Sequence, residues 1–123
     1  DDENSDVRLA AIRHPRATVD HVNKALNDKV YTVKSSALWH PSVTSDHITK
    51  ALDDVDRRVR EDAIQHPKAT VDHINKALND SHEAVRAAAL HHDLATKDHI
   101  TKALNDESEY VRYIAQKRLK DFK

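Results

Sequence analysis

The chain has 123 residues, the size of one domain, and its 20 Lys and Arg against 21 Asp and Glu leave a formal net charge of −1, so no overall basic field draws it to nucleic acid or an anionic membrane. It contains no Cys and no Gly. The first absence excludes disulfides, thiolate catalysis and Cys-based metal centres, and the second excludes the phosphate loops, dinucleotide fingerprints and nucleophile elbows that need a backbone without Cβ.

Read in chain order, the sequence repeats itself. HPRATVDHVNKALND starts at His14, HPSVTSDHITKALDD at His40, HPKATVDHINKALND at His66 and HDLATKDHITKALND at His92, a spacing of 26 each time. A fixed period in this range marks a repeat architecture. Ahead of each copy runs a column of Val7, Val33, Val59, Val85 and Val111. Four residues later stand Ala11, Ala37, Ala63, Ala89 and Ala115, followed by Ile12, Leu38, Ile64, Leu90 and then Gln116. Apolar positions at i, i+4 and i+5 predict one face of a short helix A. It should end near the His–Pro pair, because proline disfavours helical geometry in the residue before it.

Thr18, Thr44, Thr70 and Thr96 then open a helix B, with threonine as N-cap and an aspartate two residues later at the positive helix end. Its apolar columns are Val22/Ile48/Ile74/Ile100, Ala25/Ala51/Ala77/Ala103 and Leu26/Leu52/Leu78/Leu104. Asn-Asp or Asp-Asp ends it, with Asn expected as a left-handed cap in place of Gly. Helices of about ten residues, roughly 15 Å, are marginal alone, so neighbouring units must stabilise them. The units are 2–27, 28–53, 54–79 and 80–105, closed by a C-terminal capping helix over 106–123 that turns Val111, Ala115, Leu119 and Phe122 inward. The N-terminus shows no comparable cap, so the chain reads as part of a longer array or as one with an exposed first helix. The fold class expected is all-α, a solenoid of short paired helices.

On the helix A wheel the column Arg8, Lys34, Arg60, Arg86, Arg112 falls about 100° from the valines, inside the packed arc. A cation there needs a partner, since breaking a buried pair costs about 3–5 kcal/mol. Asp2, Asp28, Asp54, Asp80 and Asp106 stand six residues upstream of these cations. The expectation is an acid–base ladder through the inter-unit turns that fixes stacking register more than it adds net stability.

The stretch DDVDRRVREDAIQHPKATVDHINKALN resembles HEAT repeats in its Asp, Val-Arg and Ala spacing, and resembles leucine-rich repeat variant units more fully, over essentially residues 2–117. It departs from them in the His before the Pro, in Asp93 at the fourth Pro position, in a slightly long period and in lacking a cysteine cluster. The resemblance implies a right-handed superhelix of paired short helices that serves as a binding scaffold.

Eight of the ten histidines lie in two columns, His14/His40/His66/His92 and His21/His47/His73/His99. Zinc needs three or four ligands at about 2.0–2.1 Å, whereas neighbouring units hold equivalent atoms roughly 8–10 Å apart. Helix-end capping and interface packing are the expected roles, with acid weakening the stack; neither a metal nor any other cofactor is expected. The pairs Asp20–Lys24, Asp46–Lys50, Asp72–Lys76 and Asp98–Lys102 read as solvated helix B faces. No Ser has a reproducible His/Asp partner, so no enzyme is expected.

What varies between units points to binding. The outer positions of helix A carry Tyr31, Ser35 and Trp39 in one unit, Arg57, Glu61 and Gln65 in the next, then Glu83 and His91, then Tyr113. Exposed aromatics such as Trp39 and Tyr31 are favoured anchors. The expectation is a non-enzymatic scaffold for a protein or peptide partner. Two alternatives stay open: a nucleic-acid-binding domain with Arg57, Arg58 and Arg60 on one open face, and a structural segment that self-associates end to end through its N-terminal face. No membrane partner is expected, since no apolar run approaches about 18 residues.

Overall fold

The computed structural model describes residues 4–122. Those residues form nine helices and no strand: α1 Ser5–Arg13, α2 Val19–Leu26, α3 Tyr31–Leu38, α4 Ser45–Ala51, α5 Arg57–Gln65, α6 Val71–Ala77, α7 Glu83–His91, α8 Lys97–Ala103 and α9 Glu109–Asp121. Odd-numbered helices correspond to helix A and even-numbered ones to helix B. Among the described residues no helix is long and apolar enough to cross a membrane.

Each odd-numbered helix packs on the next odd-numbered one and on the even-numbered helix before it. This adjacency buries the columns. Val33, Val59, Val85 and Val111 are at most 1% exposed, and Ala37, Ala63, Ala89 and Ala115 are fully buried, as are Leu38, Ile64, Leu90, Ile48, Ile74 and Ile100. Alanine at the helix A contact lets backbones approach closely, while each buried Val, Leu or Ile contributes about 1.5–3 kcal/mol. Leu78 packs against both parts of the core, linking the α1–α7 region to the α7–α9 region. At the C-terminal end Leu119 and Phe122 pack on that core, together with buried Ile114.

The turn after helix B differs from expectation. No described residue has positive φ. Asn27 caps α2 at φ −94° and ψ 2°, and Leu52, Leu78 and Leu104 cap their helices in right-handed geometry. A left-handed Asn is unnecessary because the following aspartate turns the chain itself: Asp28, Asp54, Asp80 and Asp106 each accept, at Oδ1, the backbone N–H two residues on, at 2.8–2.9 Å.

The ladder pairing is also offset from the six-residue spacing. Arg8 Nε lies 2.5 Å from Asp28 Oδ2, Lys34 Nζ 2.9 Å from Asp54, Arg60 Nε 2.8 Å from Asp80 and Arg86 Nε 2.9 Å from Asp106. Each cation thus takes the carboxylate of the next unit. The arginines do so with two parallel donors, the second N–H reaching Oδ1 at 3.0–3.3 Å. The aspartate six residues upstream contributes its carbonyl instead: Nη1 of Arg60, Arg86 and Arg112 donates to the backbone oxygen of Asp54, Asp80 and Asp106 at 2.6–2.8 Å. The spacing pattern points to the right residues but not to which oxygen each provides. Asp2 lies outside the described residues.

The side chains of Arg86 and Asp106 are 8% and 13% exposed, so deletion of the arginine strands a carboxylate and a carbonyl. Arg86→Ala should cost about 3 kcal/mol in urea unfolding followed by circular dichroism. Lys34 Nζ reaches both Asp54 oxygens, at 2.9 and 3.2 Å, but carries no guanidinium N–H for the Asp28 carbonyl, as Arg60 does for that of Asp54. Lys34→Arg should raise Tm by about 4 °C, one added charge-assisted bond, and an unchanged or lower Tm would contradict the role of that third donor.

Candidate interaction edge

The outer helix A positions fall into separate rows. Tyr31, Arg57 and Glu83 are the first residues of α3, α5 and α7. Trp39 follows the last residue of α3, while Gln65 and His91 end α5 and α7. Eight residues of helix separate the rows, about 12 Å at 1.5 Å per residue, so Tyr31 and Trp39 do not form one patch.

Tyr31 is already engaged. Its hydroxyl donates to Asp62 Oδ2 at 2.7 Å, and the Arg58 guanidinium carbon lies 4.1 Å from its ring centroid. Burial, reinforced by Asp62, raises its pKa. Asp56 holds Arg58 in place at 2.8 Å, and that arginine's hydrogen bonds lower the Asp56 carboxyl to about 2. The ring expected as a second exposed anchor is half-buried against the core. Glu83 accepts from the Ser108 hydroxyl, and Tyr113 packs under Lys117, 5.3 Å away. Ser35 is half-buried, and Ala87, its counterpart in α7, is buried. The middle of this face is thus closed over at the fourth unit, where α5 and α9 flank α7.

Arg57, Arg58 and Arg60 do not share an open face either. Arg57 pairs with Glu61 at 2.6 Å, Arg58 with Asp56 and Arg60 with Asp80. Each has its own carboxylate, which leaves little free cationic field. On helix B, Lys76 reaches Asp53 of the preceding unit at 2.8 Å.

The edge where helix A meets helix B is different. Trp39 is 49% exposed. One face of its indole stacks on His66, with ring centroids 5.1 Å apart and planes 19° from parallel, and this fixes the ring's orientation. Gln65 and Pro67, which flank that histidine in the chain, line with His91 and exposed Leu94 a shallow cleft of about 410 Å³. Wheel geometry singles out Trp39, Gln65 and His91 but not Pro67 or Leu94, which reach the edge only through the turn.

The histidines build this edge. Nδ1 of His14, His40, His66 and His92 accepts the N–H of Arg16, Ser42, Lys68 and Leu94 at 3.0–3.1 Å, closing the turn after helix A. In the other column, Nδ1 of His21, His47, His73 and His99 accepts the N–H of Thr18, Thr44, Thr70 and Thr96 at 2.9 Å. This is a capping box with His where Glu or Gln usually stands. An Nδ1 that accepts leaves the ring proton on Nε2. That proton points to the preceding unit: His47 meets Asn23 Oδ1 at 2.6 Å, His73 meets Thr49 Oγ1 at 2.8 Å and His99 meets Asn75 Oδ1 at 2.7 Å. Threonine as N-cap was legible in the sequence; the share of His21, His47, His73 and His99 in the cap, and their Asn and Thr partners 24 residues upstream, had no comparable signal. Among the described residues no group of three His, Cys, Asp or Glu side chains is placed to hold a metal ion.

No protein-family model matches the chain, and no curated protein matches it in sequence.

Burial lowers the pKa of His47, His66 and His73, with Lys68 acting in the same direction on His47 and His66. A folded value below the unfolded one of about 6.5 contributes its full stability above that pH and loses it as pH falls through the folded value. Tm should therefore be flat above pH 7.5 and drop from pH 6.5 to 5 in thermal melts. His73→Gln keeps a side-chain acceptor for the Thr70 N–H without titrating, and should flatten part of that drop. A Tm unchanged between pH 7.5 and 5 would refute the acceptor role of Nδ1 in these three rings.

Proposed function

We propose that this chain is a segment of a right-handed α-solenoid, of the kind HEAT-like and leucine-rich-repeat-variant units build, and that it works as a non-enzymatic scaffold holding a protein or peptide partner. The reading rests on one observation: a half-exposed Trp39, oriented by a buried histidine, in a column whose siblings Arg13, Gln65, His91 and Lys117 are polar. A stacked ring loses little conformational entropy when a partner covers its free face, which makes tryptophan an efficient anchor. The neighbouring cleft at Gln65, Pro67, His91 and Leu94 suits an extended or turn segment that places an apolar side chain beside the indole and amide groups on the polar rim.

Wild type, Trp39→Ala and Arg58→Ala proteins, immobilised and exposed to native extract, separate this edge from the Tyr31 row. Trp39→Ala should reduce capture of the main partner at least about 10-fold, the effect of a hot-spot tryptophan, while Arg58→Ala leaves it unchanged. Equal capture by all three removes the edge, and loss with Arg58→Ala alone moves the site to the Tyr31 row.

A further inference from the structure

The described residues form one stack with two unlike ends. At the C-terminal end Leu119 and Phe122 cover the core, and Arg118 Nε donates to the Leu90 carbonyl at 2.9 Å, where the other units have their His turn. At the opposite end α1 and α2 present their unit's inner face to solvent. Val7 is 48% exposed, whereas its four counterparts are at most 1% exposed. Ala11 is exposed where its counterparts are fully buried. Between the helices runs an apolar trough of about 250 Å³, lined by Val7, Ala11, Ala25, His21 and Val33 among others. His21 has its Nδ1 in the capping box like its siblings, yet among the described residues no Asn or Thr oxygen meets its Nε2, as one does at His47, His73 and His99.

What covers this face elsewhere in the molecule is known. The equivalent surface of α3 lies against both α1 and α2, with Ile12, Ala25 and Leu26 buried there. His47 on α4 donates to Asn23 on α2. Val7, Ala11 and His21 repeat that arrangement one unit earlier, with the same spacing and backbone.

We infer that the α1–α2 face is a docking surface for one further helical pair of this chain's own unit pattern. Its helix A supplies an Ile or Leu, its helix B an Ala-Leu pair, and an Asn or Thr oxygen receives the His21 Nε2 proton. The occupant is a unit and not a second copy of the chain, because unlike faces meet within the stack, whereas a copy has its C-terminal face covered by Leu119 and Phe122 and otherwise offers only a second α1–α2 face of the same kind. The polar contact sets register and the apolar columns supply most of the association energy. This inference does not depend on the Trp39 edge.

The test joins a copy of residues 53–78, in register, ahead of the full chain. The extended protein should melt at least about 5 °C above the parent, and α1 amides should gain hydrogen-exchange protection to the level of α3. Val7→Asp, at a half-exposed position, should leave the parent's Tm almost unchanged but abolish the gain in the extended chain. The inference is overturned by equal melting temperatures with unchanged α1 protection, or by a gain that survives Val7→Asp. Sedimentation of the parent should give one monomeric species at all concentrations. Dimers abolished by Val7→Asp would assign the face to a second copy and also overturn it.

Discussion

At the junctions of Asp54, Asp80 and Asp106 a single aspartate serves three purposes. Its Oδ1 accepts an N–H two residues on and bends the chain, its two carboxylate oxygens receive the cation of the preceding unit, and its carbonyl receives the arginine of its own unit. Asp54 and Asp80 therefore each tie three segments together at a point where a glycine-free chain must reverse direction. The hydrogen bonds from Arg8 hold the Asp28 carboxyl below its usual range, outweighing burial, which acts the other way. Such an ion relay adds little net stability, because desolvation of the charges offsets much of their attraction. It makes a slipped register costly, since any shift strands a charge. The apolar columns drive stacking, and the relay selects one register from those that apolar packing alone would allow.

Histidine plays the corresponding part at the other turn. A neutral imidazole combines an acceptor and a donor about 2.2 Å apart on a rigid ring. Nδ1 can thus close a turn within one unit while Nε2 reaches the unit before it. Glutamate in the same capping box would satisfy the threonine N–H but would bring a negative charge with no proton for Asn23 or Asn75. The histidine columns are therefore structural, and burial disfavours the charged form of His47, His66 and His73 among them.

Turns built this firmly make the edge between helices A and B a defined surface. Trp39 stacks on a histidine that is itself fixed by a backbone N–H, so the ring's position follows from the repeat even though the ring is unique to one unit. Lys68 strengthens the same region, donating to the carbonyls of Pro41 and Val43 at 3.1 and 2.7 Å. Variation in single side chains on an invariant frame is the means by which repeat surfaces acquire specificity. The Tyr31 row shows the contrary case, where Arg58 and Asp62 satisfy the aromatic ring from within.

The helical class, the period and the inward columns followed from the sequence alone, because burial at spacings of four and five is a local property of a helix and the 26-residue repetition multiplies the signal. The aspartates and cations of the junctions were visible on the same ground: a charge on a packed arc requires a partner. Tertiary structure alone decided which partner. Spacing along the chain placed the carboxylate six residues away, but stacking brings the next unit's aspartate closer, 20 residues on, and leaves the near one to offer its carbonyl. It likewise decided that Tyr31 is covered while Trp39 is open, and that Asn23, Thr49 and Asn75 face the histidines. Those contacts join residues far apart in sequence, and no periodicity within one helix records what the neighbouring unit sets opposite it.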